Sequence, residues 1–147
     1  MAELLAQDGG DGVTASPFIR VLVCGGRDYA DREKVRAVLE WLAERGMQVL
    51  IHGCYRGADT LAAEEWRRIT QAEQRALRAA KAGNSNKATI GVRARWTELG
   101  GAAGPLRNAE MLTHKPDLVV AFPGRHGTAD MVRKARAAGV RVKEIAP

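Results

Sequence analysis

A chain of 147 residues is long enough for one domain with a buried core and too short for two. With 46% hydrophobic and 27% charged residues it reads as a soluble globular protein: no apolar run approaches the ~18 residues that span a bilayer, and no basic-then-apolar secretory signal opens it. The net charge is +6, and because residues 1–17 hold Glu3, Asp8 and Asp11 without a Lys or Arg, the rest carries +9, an excess that suits nucleic acid, a phosphate-bearing small ligand or plain solubility.

Residues 1–17 are rich in Gly and small polar residues and are expected to form a flexible tail, with at most a helical turn at Ala2–Ala6. A single domain is expected over residues 18–147. "FIRVLV" is a short, β-branched apolar run that stops at Gly25-Gly26, the pattern of a buried strand. Asp31 is placed to cap a helix with Val35, Val38, Leu39 and Leu42 on one face, and Gly46 sits where such a helix ends. "MQVLIH" is the second strand. A long helix follows from about Asp59 to Ala82, with Ala62, Trp66, Ile69, Ala76 and Ala80 as its inner stripe and Gly83 beyond. "ATIGVRARW" is a weaker third strand. Pro105 suits the first turn of a helix that runs through Leu112. "DLVVAF" has no polar alternation, so it is expected to be buried on both faces. Thr128 is placed to cap the next helix, which carries Met131, Val132, Ala135 and Ala138 and stops at Gly139; "VRVKEI" is the last strand. Strands that alternate with helices predict an α/β fold, a parallel sheet of about five strands with helices on both faces. Cys24 and Cys54 close predicted strands rather than forming a disulfide framework, which fits a reducing, cytoplasmic setting.

In an open parallel sheet, ligands bind beyond the carboxyl ends of the strands. Each unusual stretch of this chain falls at such an end. The first strand delivers Gly25, Gly26, Arg27 and Asp28, and the second delivers His52, Gly53 and then Asp59. The third leads through a glycine cluster to Arg107 and Asn108, and the fourth delivers Pro123, Gly124, Arg125, His126, Gly127 and Thr128. Glycines let a ligand approach the backbone, a helix N-terminus offers N–H donors, and arginines add guanidinium forks: together they suit a phosphate. Asp28 and Asp59 would accept ribose hydroxyls, although Asp28 also suits a turn and Asp59 an N-cap. Neither a Walker loop nor a GxGxxG fingerprint is present. The stretch 67–95 holds eight Lys or Arg (Arg67, Arg68, Arg75, Arg78, Lys81, Lys87, Arg93, Arg95) against Glu73 alone, either a solvated face or a patch for nucleic acid. No metal site is expected, because His52, His114 and His126 lack ligand spacing, and Ser16 and Ser85 are poorly placed for a nucleophile.

Four ordered stretches, "VLVCGGRDY", "IHGCYRGADTLA", "GPLRNAEML" and "DLVVAFPGRHGTADMVRKARAAGV", resemble the YspA/cpYpsA-related branch of the SLOG superfamily from about Arg20 to Val142. The resemblance implies a Rossmann-like fold that binds nucleotides or molecules derived from them. Relatives include LOG-type phosphoribohydrolases, DNA-binding DprA proteins and sensor domains for NAD-derived signals. LOG-type enzymes carry RKxxM and PGGxGTxxE motifs with a catalytic Arg and Glu. Here Arg107 keeps the first, so it is the candidate catalytic residue, but Arg125 replaces the second Gly of the loop and Met131 stands in the place of the Glu. A thioether cannot handle protons. The leading expectation is therefore a sensor or sequestering protein for a nucleotide-derived small molecule, with no further cofactor. The alternatives are a LOG-like N-glycosidic hydrolase and a nucleic-acid-binding protein that uses residues 67–95. Homo-oligomers are expected from the resemblance alone, and no membrane partner is expected.

Overall fold

The computed structural model describes residues 18–147, so the expected tail and its helical turn lie outside the described residues. Five strands, β1 (Arg20–Cys24), β2 (Val49–His52), β3 (Ala88–Gly91), β4 (Leu118–Ala121) and β5 (Arg141–Glu144), form one parallel sheet in the order β3-β2-β1-β4-β5. The chain builds outward from β1 in one direction, then crosses over to build outward in the other. This is the Rossmann-like α/β arrangement, with its switch point between β1 and β4.

Period-two side-chain alternation divides the core between the two faces. Val21 and Val23 of β1, Leu50 of β2 and Leu118 and Val120 of β4 pack with α1 (Arg32–Glu44) and α2 (Ala58–Ala79). Leu22, Cys24, Ile51, Val119 and Ala121 point the other way, against α4 (Ala103–Leu112) and α5 (His126–Ala137). All four residues of β4 are buried, as its unbroken apolar text predicts. Both cysteines are free.

Several element boundaries differ from the sequence expectation. Asp31 does cap α1, accepting from Lys34 N at 3.1 Å, and Gly46 ends that helix with φ 102°. By contrast α2 is capped by Gly57, and Asp59 lies inside its first turn. Its inner stripe also fails halfway: Ala62 and Trp66 are buried and Ile69 partly so, but Ala76 and Ala80 are exposed. The reason is length. A helix of 22 residues runs about 33 Å, whereas the four-residue strands beneath it run about 13 Å. The expected third strand shortens to four edge residues, of which Ile90 alone is partly buried, and the chain turns instead into a short helix α3 (Trp96–Leu99) and a 3₁₀ turn, Gly100–Ala102. That turn lets α4 start at Ala103, two residues before Pro105. Thr128 is likewise not a cap. α5 begins at His126 after Arg125, and no side chain caps it. Among the described residues no helix is long and apolar enough to cross a membrane.

Candidate functional site

The glycines at the carboxyl edge first serve to bring three loops into contact. A Cβ on Gly25 would lie 2.5 Å from the Cβ of Ala58, so only glycine lets the exit of β1 nest on the start of α2. Gly57 has φ 82°, and a side chain there would run into Gly26 O. With that space empty, Ala58 N donates to Gly26 O at 3.1 Å, and Gly26 N donates to Pro123 O at 2.8 Å. Gly124 completes the junction: a Cβ would collide with Thr128 Oγ1 and stand 2.7 Å from Gly26 N. Gly25, Gly26, Gly53 and Gly124 therefore have their bare faces filled by the protein itself, and Gly26 and Gly53 donate their N–H groups internally.

Beside this junction a hydrogen-bonded chain crosses the floor of the crevice. Asp59 turns back from α2 and accepts from Gly53 N at 2.9 Å and Tyr55 N at 3.4 Å. Arg107 reaches from α4 to donate to Gly53 O at 2.6 Å, and its Nε donates to Asn108 Oδ1 at 3.1 Å. Buried Asn108 donates in turn to Gly127 O at 3.1 Å and to Asp130 Oδ2 at 3.0 Å. The second, third and fourth strand exits are thus tied together through two consecutive side chains. Burial pushes the Asp59 carboxyl up to about 6, against the opposing pull of the Arg107 guanidinium and the two N–H donors.

Above this floor lies an open rim. The first helical bond of α5 runs from Ala129 N to Arg125 O, 2.9 Å, so the N–H groups of His126, Gly127 and Thr128 have no helical partner. Arg27 and Asp28 on the β1 exit and Arg125 and His126 at the start of α5 are exposed, and neither arginine makes an ion pair among the described residues. Gly127 differs from the other glycines here: nothing lies within 4 Å of the Cβ it lacks.

The structure does not bring His52 to this site. Burial lowers its basicity, its Nδ1 accepts from Cys54 N at 3.0 Å, and it lines a separate groove with Arg67, Thr70, Lys87 and Thr89. Three of the eight basic residues in the stretch that these residues border are ion-paired. Arg68 pairs with Glu65 and Glu40, Lys87 with Glu73, and Arg95 with Glu98. Among the described residues no group of three His, Cys, Asp or Glu is gathered for a metal ion.

Two residues at the crevice lip were not singled out by sequence reasoning. Tyr55 and Trp96 meet with ring centroids 6.2 Å apart. Both are exposed, and both stand in polar, arginine-bearing text in a chain with only 5% aromatic residues, a signal that was available.

Comparison with known proteins fits this geometry. Residues 19–82, which hold β1, α1, β2 and α2, match the model of the YspA, cpYpsA-related SLOG family. The Gene 61 protein of Mycobacterium phage D29 is 35% identical over 127 residues, an alignment that covers 84% of this chain and 93% of that protein. The chain belongs to the YspA, cpYpsA-related SLOG family. In this SLOG protein the LOG-type motif diverges structurally as well as in sequence. Met131, in the place of the catalytic Glu, is fully buried against Met111 and Val119 in the core. Asp130 beside it is held by Lys134 at 2.8 Å and Arg133 at 2.6 Å; burial pushes its carboxyl up, but the bonds from Lys134 and Asn108 outweigh that and keep it below its ordinary value.

Proposed function

We propose that this SLOG protein binds a small nucleotide-derived phosphate ligand in the crevice at the β1–β4 switch point, as a sensor or sequestering protein. Gly127 carries the reading. Gly127, in the first turn of α5, costs more backbone entropy to order than an alanine would. The fold gives no return for it, since the space beside it is empty. A ligand that presses against the first turn of α5 supplies the missing reason. Its phosphate would accept from the N–H groups of His126, Gly127 and Thr128, with Arg27 and Arg125 closing from either side and Asp28 available for a ribose hydroxyl. Arg107 and Asn108 hold the floor, and Asp59 holds Gly53 and Tyr55 rather than facing the ligand.

The test is thermal stability against AMP, GMP, CMP, UMP, NAD and ADP-ribose. A ligand at ~100 times its dissociation constant adds ~2.7 kcal/mol if it binds only the folded state. The wild type is expected to shift with at least one of these. Gly127→Val, whose side chain enters open space, is expected to fold as well and lose the shift. Equal shifts in both proteins would remove the assignment.

One observation favours a second reading, LOG-like hydrolysis of an N-glycosidic bond. Arg107, at the place of the LOG-type catalytic Arg, reaches across to the exit of β2, where it donates to Gly53 O at 2.6 Å. Base release from mononucleotides, abolished in Arg107→Ala, would establish it; intact mononucleotides after prolonged incubation would dismiss it. The exposed far half of α2, with Arg75 and Arg78, is the surface a nucleic acid or a second copy of the chain would use. Salt-steep oligonucleotide binding and a concentration-dependent mass would separate those two.

A further inference from the structure

The geometry points to Tyr55 and Trp96 as a stacking platform for a nucleobase at the lip of the crevice, an assignment that rests on the nucleotide reading above and goes further by naming what holds the base. Three tryptophans occur in the chain, and the fold buries two of them: Trp66 is fully covered and Trp41 is 7% exposed, whereas Trp96 is 47% exposed. Tyr55 is 38% exposed, and the two rings are tilted by 45° to each other. An indole and a phenol left partly in water forgo the large apolar burial that makes aromatic residues useful to a core.

The platform is fixed from behind. Trp96 lies over Gly104, where an added Cβ would approach the indole to 3.2 Å. Gly104 sits three residues before Arg107 on α4, a spacing that puts both on one side of the helix. The backbone of Tyr55 is held at both ends: its N–H reaches Asp59, and its carbonyl accepts from Thr60 Oγ1 at 2.8 Å. The rings therefore flank the contact between Arg107 and Gly53, and the same contact leads through Asn108 to Gly127. A base on the rings and a phosphate on the first turn of α5 would occupy the two ends of one continuous hydrogen-bonded floor.

The surroundings favour a base over an apolar partner. Arg56, Arg93 and Arg95 border the rings in sequence and are exposed, and such cationic surroundings suit a polar π-face better than an aliphatic surface. Leu99 on α3 and Leu106 on α4 are also exposed on this side, whereas Ile19 stands at the opposite, amino-terminal end of the sheet. Aromatic stacking tolerates every base, because each has a π-face.

The protein carries its own reporter. With Trp41 and Trp66 buried, a base on the platform changes the fluorescence of Trp96 alone. The full chain is titrated with AMP, GMP, CMP and UMP, with ribose 5-phosphate as the base-free control, and with a ten-residue oligo-dT; thermal shifts are recorded alongside. Mononucleotides are expected to quench the fluorescence, and ribose 5-phosphate to bind without quenching. Trp96→Leu and Tyr55→Leu are each expected to weaken mononucleotide binding about tenfold or more while leaving ribose 5-phosphate binding unchanged. Trp96→Phe keeps a ring and should keep the affinity. Thermal shifts by mononucleotides that are the same in wild type and both leucine variants would overturn the platform and leave the crevice reading standing. Quenching by the oligonucleotide alone would keep the platform, with its base delivered by a strand, and overturn the small-ligand reading. No response to any probe would overturn both.

Discussion

Asp59 is a side chain whose work within the fold its place in the sequence leaves open. Its place after Gly57-Ala58 suggests a helix cap or a ribose acceptor; the structure makes it the buried acceptor that closes the β2–α2 loop. Sequence cannot separate these, since all three need a short carboxylate near a helix start. The titration does. The unfolded carboxyl ionises near 3.8 and the folded one near 6, so the folded state holds an extra proton between those values. Stability from this group is complete below the lower value and is lost as pH rises through 6. Asn keeps the acceptor without the charge. Denaturant unfolding at pH 4 and pH 7 should therefore show wild type losing up to about 3 kcal/mol relative to Asp59→Asn over that interval; parallel pH profiles would refute it. Gly57 makes a firmer residue-scale case. Gly57→Ala combines a left-handed φ with a clash against Gly26 O, and should cost at least about 2 kcal/mol of unfolding free energy.

At the scale of elements, α1 and α2 are joined by a charge cluster that no local pattern announces. Glu65 is buried among Arg32 at 2.9 Å, Arg36 at 2.8 Å and Arg68 at 3.0 Å, and the bond from Arg36, followed by those from Arg32 and Arg68, outweighs burial to bring its carboxyl down to about 2. Arg32 and Arg36 lie 33 and 29 positions away in sequence, which is why spacing alone could not pair them with Glu65. Their partial exposure screens the attraction, so Glu65→Gln should cost about 1–2 kcal/mol at neutral pH. The sign is opposite to that at Asp59: this stabilisation is complete above the ordinary Glu value and vanishes as pH falls through 2. Thermal melts of the two proteins should thus converge in strong acid. The far half of α2 behaves differently. Ala76→Gln, beyond the reach of the sheet, should change stability by less than about 0.5 kcal/mol, whereas the same change at Ala62 should unfold much of the protein. Helical periodicity continues through both positions, and only the length of the strands beneath distinguishes them. Similarly, Pro105 and Thr128 correctly mark helix starts and miss the first residue, because backbone bonds rather than their own side chains set those ends.

On the scale of the whole molecule, the parallel α/β fold was legible because its three inner strands, β1, β2 and β4, are buried on both faces and their text is almost continuously apolar. The crevice was legible as a location, since topology puts every strand exit on one edge. Its internal wiring was not. Arg107 bonding to Gly53 joins positions 54 residues apart, and His52, adjacent to Gly53 in sequence, faces a different groove. Strand alternation turns neighbours to opposite sides, and only the assembled sheet decides which loops and helices each of them meets.

The bond from Gly26 N to Pro123 O bridges two segments that meet only when β1 pairs with β4, as the bond from Arg20 N to Asp117 Oδ2, 97 residues apart, does at the other end of the same strands. These strands are the centre of the sheet, so fraying at its edges leaves them closed. The Gly26 amide should then exchange with solvent deuterium only through global opening, among the slowest in the protein. A loop junction anchored on such a bond exists in whole molecules or in none: the end of α2 can come loose without creating a population in which that junction is half-formed.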